Sequence, residues 1–105
     1  MPDDYFTIMR AAAPGVITVA LTGDLDIGAR DEIREALLAA AGDADGSRLV
    51  VDLRGVRFID SEAVSAILEG YLAAEEAGIG FRLAGAVGIV RRVFDVIGLQ
   101  YLFEK

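Results

Sequence analysis

Residues 49–61 read Leu49-Val50-Val51-Asp52-Leu53-Arg54-Gly55-Val56-Arg57-Phe58-Ile59-Asp60-Ser61. Leu49–Leu53 is short and nearly all apolar, the pattern of a central strand covered on both faces. Arg54–Ile59 breaks that pattern and reads as a connection, with Val56, Phe58 and Ile59 as apolar anchors. An acid and a hydroxyl then stand where a helix should begin. That helix runs from Ser61 to about Ala77, with Val64, Ile67, Leu68, Tyr71 and Leu72 as its apolar stripe. Gly78-Ile79-Gly80 stops it.

The flanks repeat this alternation. Tyr5–Arg10 suits an edge strand, Pro14-Gly15 a turn, and Val16–Leu21 a buried strand. Gly23-Asp24-Leu25-Asp26 ends it, and Asp26 is a fitting N-cap for a helix from Ile27 to Ala41. Ala29, Ile33, Ala36, Leu37, Ala40 and Ala41 share one face of that helix. Arg30, Asp31, Arg34 and Glu35 share the other. Gly42–Gly46 reads as a loop. Phe81–Ala84 is a further strand and Val87–Ile97 a third helix, for which Gly98 is a natural stop. Leu99–Phe103 reads as a last short strand. The order β-β-α-β-α-β-α-β implies an α/β fold: one domain over residues 1–105, a mixed, mostly parallel sheet of about five strands, and three crossover helices.

Composition narrows the function. The 105 residues are 54% hydrophobic and 26% charged, with a net charge of −7. That suits one globular domain. There is no basic cluster, and Lys105 is the only lysine, so a nucleic-acid backbone is a poor partner. With neither Cys nor His, sulfur-ligated metal sites, imidazole bases and the Ser-His-Asp triad are excluded. No apolar run reaches the ~20 residues that span a bilayer, and Met1-Pro2-Asp3-Asp4 is unlike a basic signal-peptide start. The expectation is a cytoplasmic binding module, with no enzyme activity, no cofactor and no metal of its own.

Two readings compete at Ser61. In one, Asp60 or Ser61 merely caps the helix while Glu62 complements its dipole. In the other, Ser61 is a modifiable hydroxyl at a positive helix end that would tolerate a phosphate. Asp24, Asp26, Asp60 and Glu62 all fall near strand ends and helix starts. They read as separate caps and surface acids in preference to a shared cation site. A phospho-aspartate site at Asp52 is rejected, because Asp52 lies inside an apolar strand and the chain has no internal lysine. Arg91-Arg92 reads as the wet face of the third helix, and Tyr71 as core.

Three stretches then resemble the STAS domain, specifically the anti-sigma factor antagonists of bacterial partner switching. They are Leu21–Asp26, Leu49–Ser61, and Val90–Leu99 with its closing Gly98-Leu99. The resemblance implies that Ser61 is the serine phosphorylated by an anti-sigma factor that is also a serine kinase. It further implies that the unphosphorylated chain sequesters this kinase and that a phosphoserine phosphatase restores the binding form. Asp26 matches an acid at the kinase contact and Asp60 the acid before the serine. Asp24 and Glu62 complete the implied partner surface, and ATP and magnesium would belong to the kinase. Glu62 and Ala63 stand where the family usually has a second small hydroxyl residue and a glycine. An alternative role within the same fold is a soluble accessory subunit of a transporter ATPase complex.

Overall fold

The computed structural model describes residues 6–103; Met1–Tyr5 and Glu104–Lys105 lie outside it, including the expected start of the first strand at Tyr5. Strands β1 (Phe6–Ala13) and β2 (Val16–Leu25) form an antiparallel hairpin through Pro14-Gly15. Proline presets its own φ, and Gly15 takes φ +81°, a region closed to most side chains. A 3-10 turn (Ile27–Ala29) leads into α1 (Arg30–Asp43). Then come β3 (Arg48–Ile59), α2 (Ser61–Ala77), β4 (Phe81–Ala84) and α3 (Gly88–Val96). The sheet order is β1-β2-β3-β4, with β2, β3 and β4 parallel.

Among the described residues four strands form the sheet, where about five were expected. Leu99–Phe103 is not a strand: Gln100–Leu102 is a 3-10 turn, and only Phe103 makes a bridge, to Leu83. Its side chains explain this. Leu102 and Phe103 are buried in succession, whereas a strand would turn consecutive side chains to opposite faces.

Arg54–Ile59 is likewise not a connection but the second half of β3, which runs for 12 residues. Its apolar alternation is broken because β3 carries extra residues against β2, with register shifts between Ala20 and Thr22 and between Gly23 and Asp24. Such bulges bend a strand and re-aim its side chains. Asp52 serves the first of them, its Oδ1 accepting from the Arg54 backbone N–H at 2.9 Å. Gly55 fits because a Cβ there would lie 2.8 Å from Thr22 Cγ2. Val56, between the two shifts, and Ile59, beyond them, are buried, but Phe58 is turned out and 49% exposed, so it is no anchor.

One core holds the molecule together. Ile17, Val19, Leu21 and Leu25 of β2 and Leu49, Val51, Leu53 of β3 meet Ile33 and Leu37 of α1, Ile67 of α2 and Phe94 of α3. The expectation that β3 is covered on both faces is corrected. Met9, Ala20, Asp52 and Ala84 pair across the opposite face, as do Ala11, Thr18, Val50 and Arg82. None of them joins the core. Only Val50 in these two rows is buried.

The α1–α2 seam positions everything that follows. The α2 residues buried there include Ala63, Ala66, Gly70 and Ala74, not the large stripe alone; Leu72 is exposed. At Gly70 a Cβ would lie 2.7 Å from Leu37 Cβ, so glycine lets the two helices approach. Arg34 reinforces the seam by donating to Glu69 at 2.6 Å. That hydrogen bond and charge raise its pKa above the ordinary arginine value.

Candidate functional site

The parallel strands β2 and β3 end side by side, and the Asp60 N–H donates to the Leu25 carbonyl at 3.0 Å. The pairing of Asp24 with Phe58 and of Leu25 with Ile59, extended by this bond, brings Asp24-Leu25-Asp26 against Ile59-Asp60-Ser61, two stretches far apart in the chain. Each strand then turns into helix through an aspartate in extended backbone. Asp26 has φ −110° and accepts from Gly28 N at 2.9 Å. Asp60 has φ −110° and accepts from Ala63 N at 3.0 Å. The cap of α2 is therefore Asp60, and Ser61 is the first helical residue, with its side chain exposed. The capping reading and the modification reading do not compete: the aspartate caps, and the hydroxyl is left on the surface.

The other two acids have partners of their own. Asp24 Oδ1 lies 3.4 Å from Arg57 Nε, and Glu62 Oε1 lies 3.4 Å from Arg30 Nε. Asp24, Asp26, Asp60 and Glu62 thus share one edge but are divided between two caps and two ion pairs. Among the described residues no group of three or more acids, histidines or cysteines converges as a metal cage would require.

Sequence reasoning missed the cations and the apolar rim. Arg30 read as the wet face of α1, yet it bridges to α2. Arg57 lies where the strand continues unexpectedly. Ile27, which read as the first helical residue, is 69% exposed at the 3-10 turn, and Phe58 near the end of β3 is 49% exposed. A signal for Arg30 existed: a cation in the first turn of a helix opposes the helix dipole, so its presence there asks for an anion.

Further along α2, Tyr71 packs edge-on against Phe81 with ring centroids 5.5 Å apart. Burial and Glu75 raise its phenol pKa. Arg91 is not simply a solvated face, because its guanidinium sits 4.2 Å from the Phe103 ring centroid and pairs with Asp95 at 2.9 Å. Arg92 lines a shallow groove of about 290 Å³ with Ile89, Val93, Val96 and Ile97. Among the described residues no helix is long and apolar enough to cross a membrane.

Comparison with known proteins agrees with this architecture. The family model described as Mlab, STAS domain, matches residues 8–104. The chain belongs to the STAS domain family. An anti-sigma factor antagonist from Mycobacterium paratuberculosis superposes with a TM-score of 0.84 at 24% identity, over 97% of this chain and 86% of that one. The anti-sigma factor antagonist SpoIIAA in its unphosphorylated form gives 0.81 at 21% identity, over 93% and 86%. The Bacillus cell fate determinant SpoIIAA in the phosphorylated form gives 0.74 at 20% identity, over 93% and 89%.

Proposed function

We propose that this chain is an anti-sigma factor antagonist whose partner binding is switched at Ser61. One observation carries the reading: Ser61 is an exposed hydroxyl at the first position of α2, held on a stiff edge by the Asp60 cap and the bond to Leu25. A kinase needs an accessible hydroxyl, and Ser61 supplies one. The similar structures include SpoIIAA in unphosphorylated and phosphorylated forms, which supports a fold that accommodates both states.

The partner is then a serine-kinase anti-sigma factor that docks over Asp24, Asp26, Asp60, Ser61 and Glu62. Ile27 and Phe58 supply apolar surface to the same edge. A phosphate adds about −1.5 to −2 charges to an edge that already holds four acids against two arginines. It would also face the ATP phosphates of the docked kinase. Like charges forced together across an interface cost several kcal/mol, and each 1.4 kcal/mol is tenfold in affinity. One phosphate therefore suffices to release the partner, and a phosphatase to restore it. The chain acts by binding, in the cytoplasm, with ATP and magnesium belonging to the kinase.

The test is incubation of the full chain with the cognate kinase and ATP. The expected result is one added phosphate at Ser61, lost in Ser61→Ala, with the phosphorylated chain no longer retained by the kinase. A phosphate mapped elsewhere overturns the reading. So does stable recovery with a transporter ATPase subunit that is indifferent to Ser61→Asp, which would assign the accessory-subunit role instead.

A further inference from the structure

We propose that Arg30 is a charge latch for Ser61: Glu62 holds it in the unmodified chain, and the phosphate takes it over when Ser61 is phosphorylated. This rests on the reading of Ser61 as the modified residue and adds how the modification is registered within the chain.

Three observations point to Arg30. It is the first residue of α1, where the helix dipole disfavours a cation. It reaches across to the first turn of α2, where Glu62 Oε1 lies 3.4 Å from its Nε. And that Nε is shielded from solvent yet donates a hydrogen bond to nothing. The side chain as a whole is 44% exposed, so the ion pair holds the arginine by charge while this one shielded donor goes without an acceptor. A phosphate on the residue next to Glu62 brings three strong acceptor oxygens and more charge than one carboxylate. Arginine prefers such an acceptor because its planar donors engage two oxygens at once.

The neighbouring charges leave Arg30 as the candidate. Asp60 is committed to Ala63 N and Asp26 to Gly28 N. Arg57 pairs with Asp24 on the strand and is 71% exposed, so water already serves its donors, whereas Arg30 reaches the first turn of α2 and keeps a shielded donor. When Arg30 turns to the phosphate, Glu62 is released to the surface. The edge then gains the phosphate and also an unneutralised carboxylate. The change offered to a partner is larger than the modification alone, and Glu62 acts as the resting holder of the latch.

The test uses the full chain with phosphoserine installed at position 61 during translation, so no kinase is needed. A kinase that ignores Ser61 would defeat the proposed function and leave this measurement intact. Phosphorus NMR titration reads the second ionisation of the phosphate, ordinarily near about 6. A cation in contact favours the dianion, so the midpoint in wild type should lie about 1 pH unit below that in Arg30→Met. Glu62→Gln should lower it further, and Arg57→Met should leave it at the wild-type value. Equal midpoints in wild type and Arg30→Met overturn the proposal, as does a shift abolished by Arg57→Met instead. If Arg30→Met does not fold, the Arg30 Nε–H resonance in the wild-type nitrogen spectrum decides. It should move on phosphorylation, and an unmoved resonance overturns the latch.

Discussion

The α1–α2 seam and α3 are both amphipathic helix packings, yet they are built on opposite terms. The seam is made from small residues at close range, with Gly70 against Leu37 and Ala63, Ala66 and Ala74 beside it. Two half-exposed ion pairs also cross it, Arg30 to Glu62 and Arg34 to Glu69. The nine-residue α3 instead hangs on two buried side chains, Val90 and Phe94, the latter edge-on to Phe103 at 5.4 Å. Its Ile89 and Val96 are 69% and 73% exposed. Small residues fix the distance between two helices, whereas large anchors fix only a point of attachment. The close helix approach lies along α2, the helix that begins at Ser61.

That contrast can be broken in order of expected effect. Phe94→Ala removes the larger anchor of α3 and should cost about 3–5 kcal/mol, read as a fall in the urea midpoint. The Ser61 edge should remain phosphorylatable in whatever fraction stays folded. Gly70→Val should cost about 1–3 kcal/mol by overpacking against Leu37. Unlike the α3 change, it should also slow modification of Ser61, because α2 is pushed from α1. Should Gly70→Val leave both stability and modification unchanged, the seam is not the tight element described. Asp60→Ala should cost about 1 kcal/mol, the usual worth of an N-cap, measured by denaturant titration. Val96→Ser should change stability by less than about 0.5 kcal/mol, since its side chain already faces solvent.

The smallest effect is a pH dependence. The folded chain holds the Tyr71 proton more tightly than the unfolded chain does. Its contribution is therefore complete below the ordinary tyrosine pKa of about 10 and fades as pH rises through the folded value. Tyr71→Phe should flatten the stability curve in that window, while the pH slope near neutrality stays as in wild type.

The alternation of strand and helix was legible because apolar periodicity changes between Val16–Leu21, the α1 face and Leu49–Leu53. So were the stops, since Gly78 and Gly98 take φ +74° and +82°. The second half of β3 was not legible. Its bulges move Phe58 out and keep Ile59 in, and periodicity cannot read through an inserted residue. The last strand failed for a related reason: two apolar neighbours, Leu102 and Phe103, mark a turn capping the core as readily as a strand. At the site, the residue types at Asp26, Asp60 and Ser61 announced helix starts. Their adjacency needed the parallel pairing of β2 with β3. The partners Arg30 and Arg57 were invisible because an ion pair between elements leaves no local pattern.

The central claim is that Ser61 is a switched residue. It is tested most directly by intact mass of the protein from its native cell, with and without phosphatase, followed by mapping. The account requires a phosphatase-sensitive gain of one phosphate at Ser61. Protein that carries no phosphate under any growth condition would contradict it.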